Sequence, residues 1–338
     1  MTSRNYAILE PRACRVCHQK DNILRCSGCQ VVYYCGRDHQ TSDRASHKKW
    51  CQVIKKARTR LEREEQDLRD QPPSAFTPPN IFETGVGHFW GINETRPYMR
   101  ARYHLGDSLL NAFTTIGDHF LDMMRLCRGD NLGLRHMIPG LFIRLGRDQE
   151  AYDSVKWYAT TGIDRNYDWG DIDLPFLDVK DADVLESLGG MWTTEYINLS
   201  HAVAVTLVKI RVLLDLQAIQ NAARAFTGAI PQEIIDLIRG QLASNVVESR
   251  PNLLRDSTDE TTSLIKSIKQ QVRELHESIE DINYHFWPML LVDPITSAVS
   301  RPSGYSPGSR EEASLILCYN YPAWAETPGA IELIQNLC

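Results

Sequence analysis

Residues 14–51 read CRVCHQKDNILRCSGCQVVYYCGRDHQTSDRASHKKWC. Six of the nine cysteines of the 338-residue chain fall in this stretch, together with His39 and His47. The spacing is Cys14-x2-Cys17-x8-Cys26-x2-Cys29-x5-Cys35-x3-His39-x7-His47-x3-Cys51. A C-x2-C knuckle bends the backbone so that two thiolates reach one ion, and zinc takes four S or N ligands at about 2.0–2.3 Å. Residues four apart share a helical face, so Cys35/His39 and His47/Cys51 can each close a site. Eight candidate ligands suffice for two tetrahedral sites. Thirty-eight residues with so few apolar side chains cannot fold on burial alone, so metal binding would supply most of the folding free energy. A redox role for either C-x2-C pair would call for a βαβ context that the surrounding sequence lacks. One ion with leftover ligands is the other alternative. A catalytic zinc keeps a position open, whereas here the ligands fill both sites. His18, beside Cys17, reads as an exposed neighbour rather than a ligand.

This pattern, with YYC before the fifth ligand and HKKxC at the end, resembles the MYND-type zinc finger over residues 14–51. The family usually has Cys at the sixth ligand; this chain has His39, a competent ligand at the same spacing. The resemblance implies an interleaved fold with two structural zinc ions, one on Cys14, Cys17, Cys35 and His39, the other on Cys26, Cys29, His47 and Cys51. It also implies a protein-interaction module, since some family members bind Pro-x-Leu-x-Pro peptides beside the zinc-held hairpin. The matching groove positions are Ser27, Gln40 and Arg44, the last standing where peptide-binding members carry Trp. A cation in place of an apolar floor disfavours that peptide class and suits an acidic or mixed segment.

Outward from the finger, the charge is uneven. The chain carries a net −6, yet residues 1–60 hold 13 Lys/Arg against 4 Asp/Glu. A basic head on an acidic body raises the possibility of nucleic-acid contact through Lys48, Lys49, Lys55, Lys56, Arg58 and Arg60. No interleaved stacking aromatics accompany that run, so nucleic acid is the lesser expectation. Nothing approaches 18 consecutive apolar residues, the N-terminus lacks a signal-peptide core, and Cys338 is not fourth from the end. These point to a protein without a membrane span, in the nucleus or cytoplasm, where disulfides are rare.

Four organisational segments are expected: a finger over 10–55, a charged helix over 56–70, a Pro-rich linker over 71–80, and an α-helical domain over 81–338. Leu105, Leu109, Phe113, Ile116, Phe120, Met124 and Cys127 follow helical steps as one face. Leu134 to Leu145 continue the periodicity with Pro139 as a kink, and Gly146 turns into a helix beginning near Gln149. Residues 126–155 resemble tetratricopeptide-like helical hairpins. Residues 195–225 form a long apolar stretch, Pro231 suits the start of a helix over 231–247, and Leu264 to Phe286 keep a near-heptad seam that packs within the chain or, as the lesser alternative, against a coiled-coil partner. Two short helices close the chain. The order of finger, Pro-rich segment, RPYMRARYHL and terminal AWAETPGAI resembles MYND-finger proteins of filamentous fungi with a helical C-terminal body.

Enzyme signatures are weak. The Asn-His-Ser stretch of MYND-associated lysine methyltransferases is absent. Gly304-Tyr-Ser-Pro-Gly308 matches a nucleophile elbow, but Pro307 lacks the N–H that an oxyanion hole takes from the residue after the serine. The Asp-rich 167–184 does not match a calcium loop and reads as an acidic loop anchored by Trp169. The expectation is a non-enzymatic zinc-binding adaptor whose finger docks a partner protein segment and whose helical body offers a second interaction surface. A transcription or chromatin-associated regulator that contacts nucleic acid through the basic region is the alternative.

Overall fold

Leu24–Arg25 (β1) and Tyr33–Tyr34 (β2) pair antiparallel, with Leu24 opposite Tyr34 and Arg25 opposite Tyr33. Two helices follow, α1 (Arg37–Ser42) and α2 (Arg44–Arg69). The computed structural model describes residues 12–74, 76–113, 117–192, 198–225, 242–250, 253, 258–298 and 301–338. They fall into two compact units, one of residues 1–134 with 168–174, the other of 135–167 with 175–338.

In the first unit α2 runs unbroken out of the finger and lies along α3 (Arg96–Phe113). Ile54, Ala57 and Leu68 are the buried apolar side chains of α2. Near its end the Arg69 guanidinium sits 4.2 Å from the ring centre of Phe82, which packs edge-on against Tyr98 of α3. The Pro-rich 71–80 is therefore a turn between two helices of one unit, and the division of the chain falls after Leu134 instead. Prolines there remove backbone donors and stop α2; they do not make a tether.

The single helical face expected over Leu105–Cys127 is split between α3 and α4 (Gly117–Leu126). Residues 106 and 120 of one straight helix would stand about 21 Å apart. Here the Phe120 ring lies against Gly106, where a Cβ would come within 2.5 Å of it, and 5.8 Å from the ring of Tyr103. The period survives because Leu105 and Leu109 of α3 and Phe120 and Met124 of α4 are all buried. Ile116 and the neighbouring 114 and 115 lie outside the described residues.

The second unit is built around α7 (Leu199–Ala225), which is buried on nearly every side. A helix apolar all round belongs in the middle of a core. Helices α5 (Ile138–Arg144) and α6 (Asp148–Thr160) form a helical hairpin against it, turned by Gly146 at φ +66°. Pro139 stands in the first turn of α5 and starts the helix rather than kinking it, since its missing N–H would be unpaired there anyway. Ile268, Val272, Leu275 and Ile279 of α8 (Thr258–Ile282) are fully buried, and α8 packs along α7, so the near-heptad seam is spent inside the chain. Short α9 (Phe286–Val292), then α10 (Arg310–Ala325) and α11 (Ala330–Leu337), complete the unit. The helix expected from Pro231 lies outside the described residues up to 241; beyond them there is a helical turn at Asn245–Glu248. Among the described residues no helix is long and apolar enough to cross a membrane.

Two stretches singled out in the sequence have structural employment. Gly304–Gly308 runs into α10, where the Ser309 hydroxyl accepts from the Glu312 N–H and the Glu312 carboxylate accepts from the Gly308 N–H, a capping box shifted by one residue. In the Asp-rich loop, Asp168, Asp171 and Asp183 each accept an N–H two residues on. The loop is held by Arg128, which donates to the carbonyls of Asp171, Ile172 and Leu174.

His201 of α7 is buried, and burial, with His136 nearby, holds its pKa down at about 3. The imidazole is thus neutral in the fold while its unfolded counterpart takes a proton below about pH 6.5. The unfolded state binds more protons in that window, so stability rises with pH and is lost on acidification. Between pH 7.5 and 5 this one group is expected to remove about 2 kcal/mol. Urea titrations of wild type and His201→Gln check it: the variant should lose that much less on acidification, and identical pH slopes would refute the assignment.

Candidate metal centre

The first knuckle is shaped by its own backbone. His18 N–H donates to the Cys14 carbonyl at 2.8 Å, Cys14 N–H donates to Gln19 O at 2.7 Å, and His18 takes φ +59°. The second knuckle closes the hairpin: Cys26 N–H donates to Val32 O at 2.8 Å and Gln30 N–H to Cys26 O at 2.9 Å. Arg15 N–H donates to Tyr33 O at 2.9 Å, which ties the first knuckle to β2. Helix α1 supplies His39, and α2 supplies His47 and Cys51 one turn apart.

These elements bring the eight predicted ligands into two groups: Cys14, Cys17, Cys35 and His39; and Cys26, Cys29, His47 and Cys51. Within each group all donor atoms lie within 4.8 Å of one another. Four donors at tetrahedral directions around zinc would stand about 3.3–3.8 Å apart. In the first group Cys17 Sγ is 3.6 Å from Cys35 Sγ, and His39 Nδ1 is 3.5 Å from Cys14 Sγ and 3.0 Å from Cys35 Sγ. In the second, Cys26 Sγ is 3.7 Å from Cys51 Sγ, and His47 Nε2 is 3.4 Å from Cys26 Sγ and 3.7 Å from Cys29 Sγ. Such separations are far beyond an S–S bond of about 2.05 Å, and all these thiols are free. Each group offers three sulfurs and one imidazole nitrogen, a donor set suited to zinc. The two sets alternate along the chain, so filling either site would bind segments before and after the other.

The electrostatics fit a cation. Burial pushes the Cys14 thiol up, but the N–H groups of Cys17, Cys35 and Val16, with His39, outweigh it and bring it down to about 5. Burial likewise works against Cys26, and the N–H groups of Cys29 and Gly28 lower it. Cys29, Cys35 and Cys51 resist ionising beside those two. Cys35 is held at about 11 by burial and then by Cys17 and Cys14, and Cys51 at about 12 by burial and then by Cys26 and Cys29. Burial also raises Cys29 and keeps His47 neutral. A dication among them would reverse the preference of Cys29, Cys35 and Cys51 and reinforce that of Cys14 and Cys26.

Several supporting residues escaped the sequence reading. Asp43, between α1 and α2, accepts from the Tyr34 hydroxyl at 2.6 Å, pairs with Arg15 at 3.4 Å, and accepts from the Ser46 hydroxyl. It joins the first knuckle, the hairpin and α2. Tyr34 is buried and meets the His47 ring edge-on at 6.0 Å. The signal was its position between the two helical ligand pairs, which spacing alone does not interpret. Gly28 is required because a Cβ there would lie 2.7 Å from Cys51 Sγ. Arg58 leaves the basic run and donates to Cys29 O at 3.2 Å, while Lys48, Lys49, Lys55, Lys56 and Arg60 stay exposed. Ser27, Gln40 and Arg44 are exposed, and His18 stands outside both groups.

A small hairpin-and-helix fold holding two alternating Cys/His clusters defines a finger with two candidate metal sites. Residues 14–51 match the family model of the MYND finger. Fingers of this family are protein-interaction modules that bind zinc. The chain is 38% identical over 74 residues to the Rho GTPase-activating protein gacZ of Dictyostelium discoideum, 21% of this chain and 6% of that one. It is 36% identical over 66 residues to Egl nine homolog 1 of Homo sapiens, 20% of this chain and 16% of that one. It is 43% identical over 53 residues to the histone-lysine N-methyltransferase ASHR1 of Arabidopsis thaliana, 16% of this chain and 10% of that one. The similarity thus spans a small part of each curated relative. No solved structure matches.

Proposed function

We propose that the protein is a non-enzymatic interaction adaptor in which two structural zinc ions staple an N-terminal finger that docks a segment of a partner protein. The observation that carries this is the coincidence of the MYND-finger match with two complete three-sulfur, one-nitrogen clusters over the same residues. Cys14, Cys17, Cys35 and His39 hold one ion and Cys26, Cys29, His47 and Cys51 the other. Both sites then have four protein ligands and no open position for a substrate. The solvent-facing Ser27, Gln40 and Arg44 form the docking positions, and Arg44 steers the finger toward acidic or mixed segments. The helical body, with a tetratricopeptide-like hairpin in α5 and α6, carries the second interaction surface.

Affinity purification of the full chain from its own cells tests this. The Cys26→Ser/Cys29→Ser variant should lose a defined set of partners, and Gln40→Ala/Arg44→Glu should weaken the same set with both metal ions still bound. An unchanged set in both variants would make the finger a structural cap and sink the proposal.

A further inference from the structure

Helix α2 turns a second face to solvent. Ala45, Lys48, Lys49, Gln52, Val53 and Lys56 line a shallow depression of about 410 Å³. Their steps of three and four put them on one side of the helix. Val53 is half-buried and the other five are exposed. The charge here is unbalanced within the helix itself: residues 44–61 contain no Asp or Glu. Further along α2 the cations are matched, Arg60 and Arg63 with Glu64 and Arg69 with Glu65. The unmatched stretch is thus the part of α2 that borders the depression.

Shape and charge together select the occupant. Lys49 and Lys56 are seven residues apart, about 10.5 Å along the axis. Carboxylates seven residues apart on a partner helix have the same separation. Val53 leaves a small apolar floor between Lys49 and Lys56, with room for a small side chain, and Ala45 lies one turn before Lys49. A nucleic-acid strand would want stacking faces as well as charge. The aromatic ring beside the depression, Trp50, is half-buried and has the Lys49 ammonium 5.2 Å from its centre.

We propose that this depression on α2 docks an acidic helical segment of a partner protein, with two carboxylates one heptad apart on Lys49 and Lys56 and a small apolar side chain over Val53 between them. The proposal rests on the finger being a protein-interaction module, and it adds a surface that starts beside Arg44 and runs along α2, away from Ser27 and Gln40.

A display library of random sixteen-residue peptides, selected on the zinc-loaded full chain, tests it. Enriched peptides should carry Asp or Glu at positions seven apart with a small apolar residue between. A selected peptide made synthetically should bind Lys49→Glu/Lys56→Glu, or the milder Lys49→Gln/Lys56→Gln, at least tenfold more weakly than wild type, with zinc content unchanged. Its affinity should also fall as salt is raised. No enrichment, enriched peptides without the acidic spacing, or equal binding to both lysine variants would overturn the proposal. So would tighter lysine-dependent binding of a 20-base-pair DNA duplex, which would assign the face to nucleic acid. Where partner capture still depends on Gln40 and Arg44, only the α2 surface falls; where capture ignores the finger altogether, the adaptor reading falls with it.

Discussion

Cys29→Ser is expected to cut the zinc content of the purified chain from two ions to one or none, and to melt the finger while leaving the rest folded. The reason lies in how little else holds residues 14–51. The hairpin has two residues per strand, and its buried apolar side chains are few, chiefly Val31, Val32 and Tyr34. Structural zinc in finger peptides is worth about 10–16 kcal/mol at pH 7, far more than that core can offer. Losing the fully buried Cys29 releases Cys26 on the hairpin from His47 and Cys51 on α2. The damage should nevertheless stop near Cys51, because α2 beyond it is anchored on α3 through Ile54, Ala57 and Leu68. Hydrogen exchange should therefore show lost protection over residues 24–34 and retained protection over 54–69. Chelation of wild type should reproduce the pattern. Two zinc ions retained by the variant, or protection lost evenly along α2, would overturn the cross-braced arrangement.

That boundary also marks what the sequence could tell. Ligand spacing is a local property, and local geometry decides it: the knuckle cysteines three residues apart come together, as do His47 and Cys51 four apart on α2, whereas Cys35 precedes α1 and meets His39 across its start rather than on one helical face. Helical periodicity was equally readable, because an apolar face repeats whatever it packs against. What spacing could not convey was contact between distant segments. The Leu105–Cys127 pattern reads the same for one helix or for two folded together, and only the seating of Phe120 on Gly106 decides. Pro139 has one chemistry, and its effect depends on whether a helix has already begun before it. The partnership of Asp43 with Arg15 and Tyr34 crosses two turns and a strand. Lys209, fully buried in the apolar α7, finds Val184 O, Glu186 O and the Gln271 side chain, none of them a sequence neighbour.

Arg211→Met is expected to destabilise the helical unit by about 3–5 kcal/mol at pH 7, the cost typical of orphaning one member of a buried ion pair. Arg211 Nε donates to Asp148 Oδ1 at 2.6 Å and a terminal nitrogen donates to Oδ2 at 3.3 Å. Its other donors reach the Thr327 hydroxyl at 3.0 Å and the Ala243 carbonyl. The guanidinium thereby ties α6, α7 and the segment before α11 together. Asp148 has no exposed side chain, and burial holds its carboxyl above the ordinary range even though Arg211 pulls it down. Desolvation thus already exceeds the attraction, and without Arg211 only the backbone N–H groups of Asn245 and Asp148 remain to offset it. Two consequences separate this account from simple loss of packing. A carboxyl whose folded pKa is raised binds more protons folded than unfolded, so stability falls as pH rises through that window. The Arg211→Met penalty should accordingly be smaller at pH 4.5 than at pH 7. Asp148→Asn added to Arg211→Met should recover most of the loss at pH 7, since a neutral amide needs no countercharge. Urea titrations of wild type, both single variants and the double variant give the coupling. A penalty below about 1 kcal/mol at pH 7, or one independent of pH, would mean that water reaches the pair and that α7 is held by apolar contact alone.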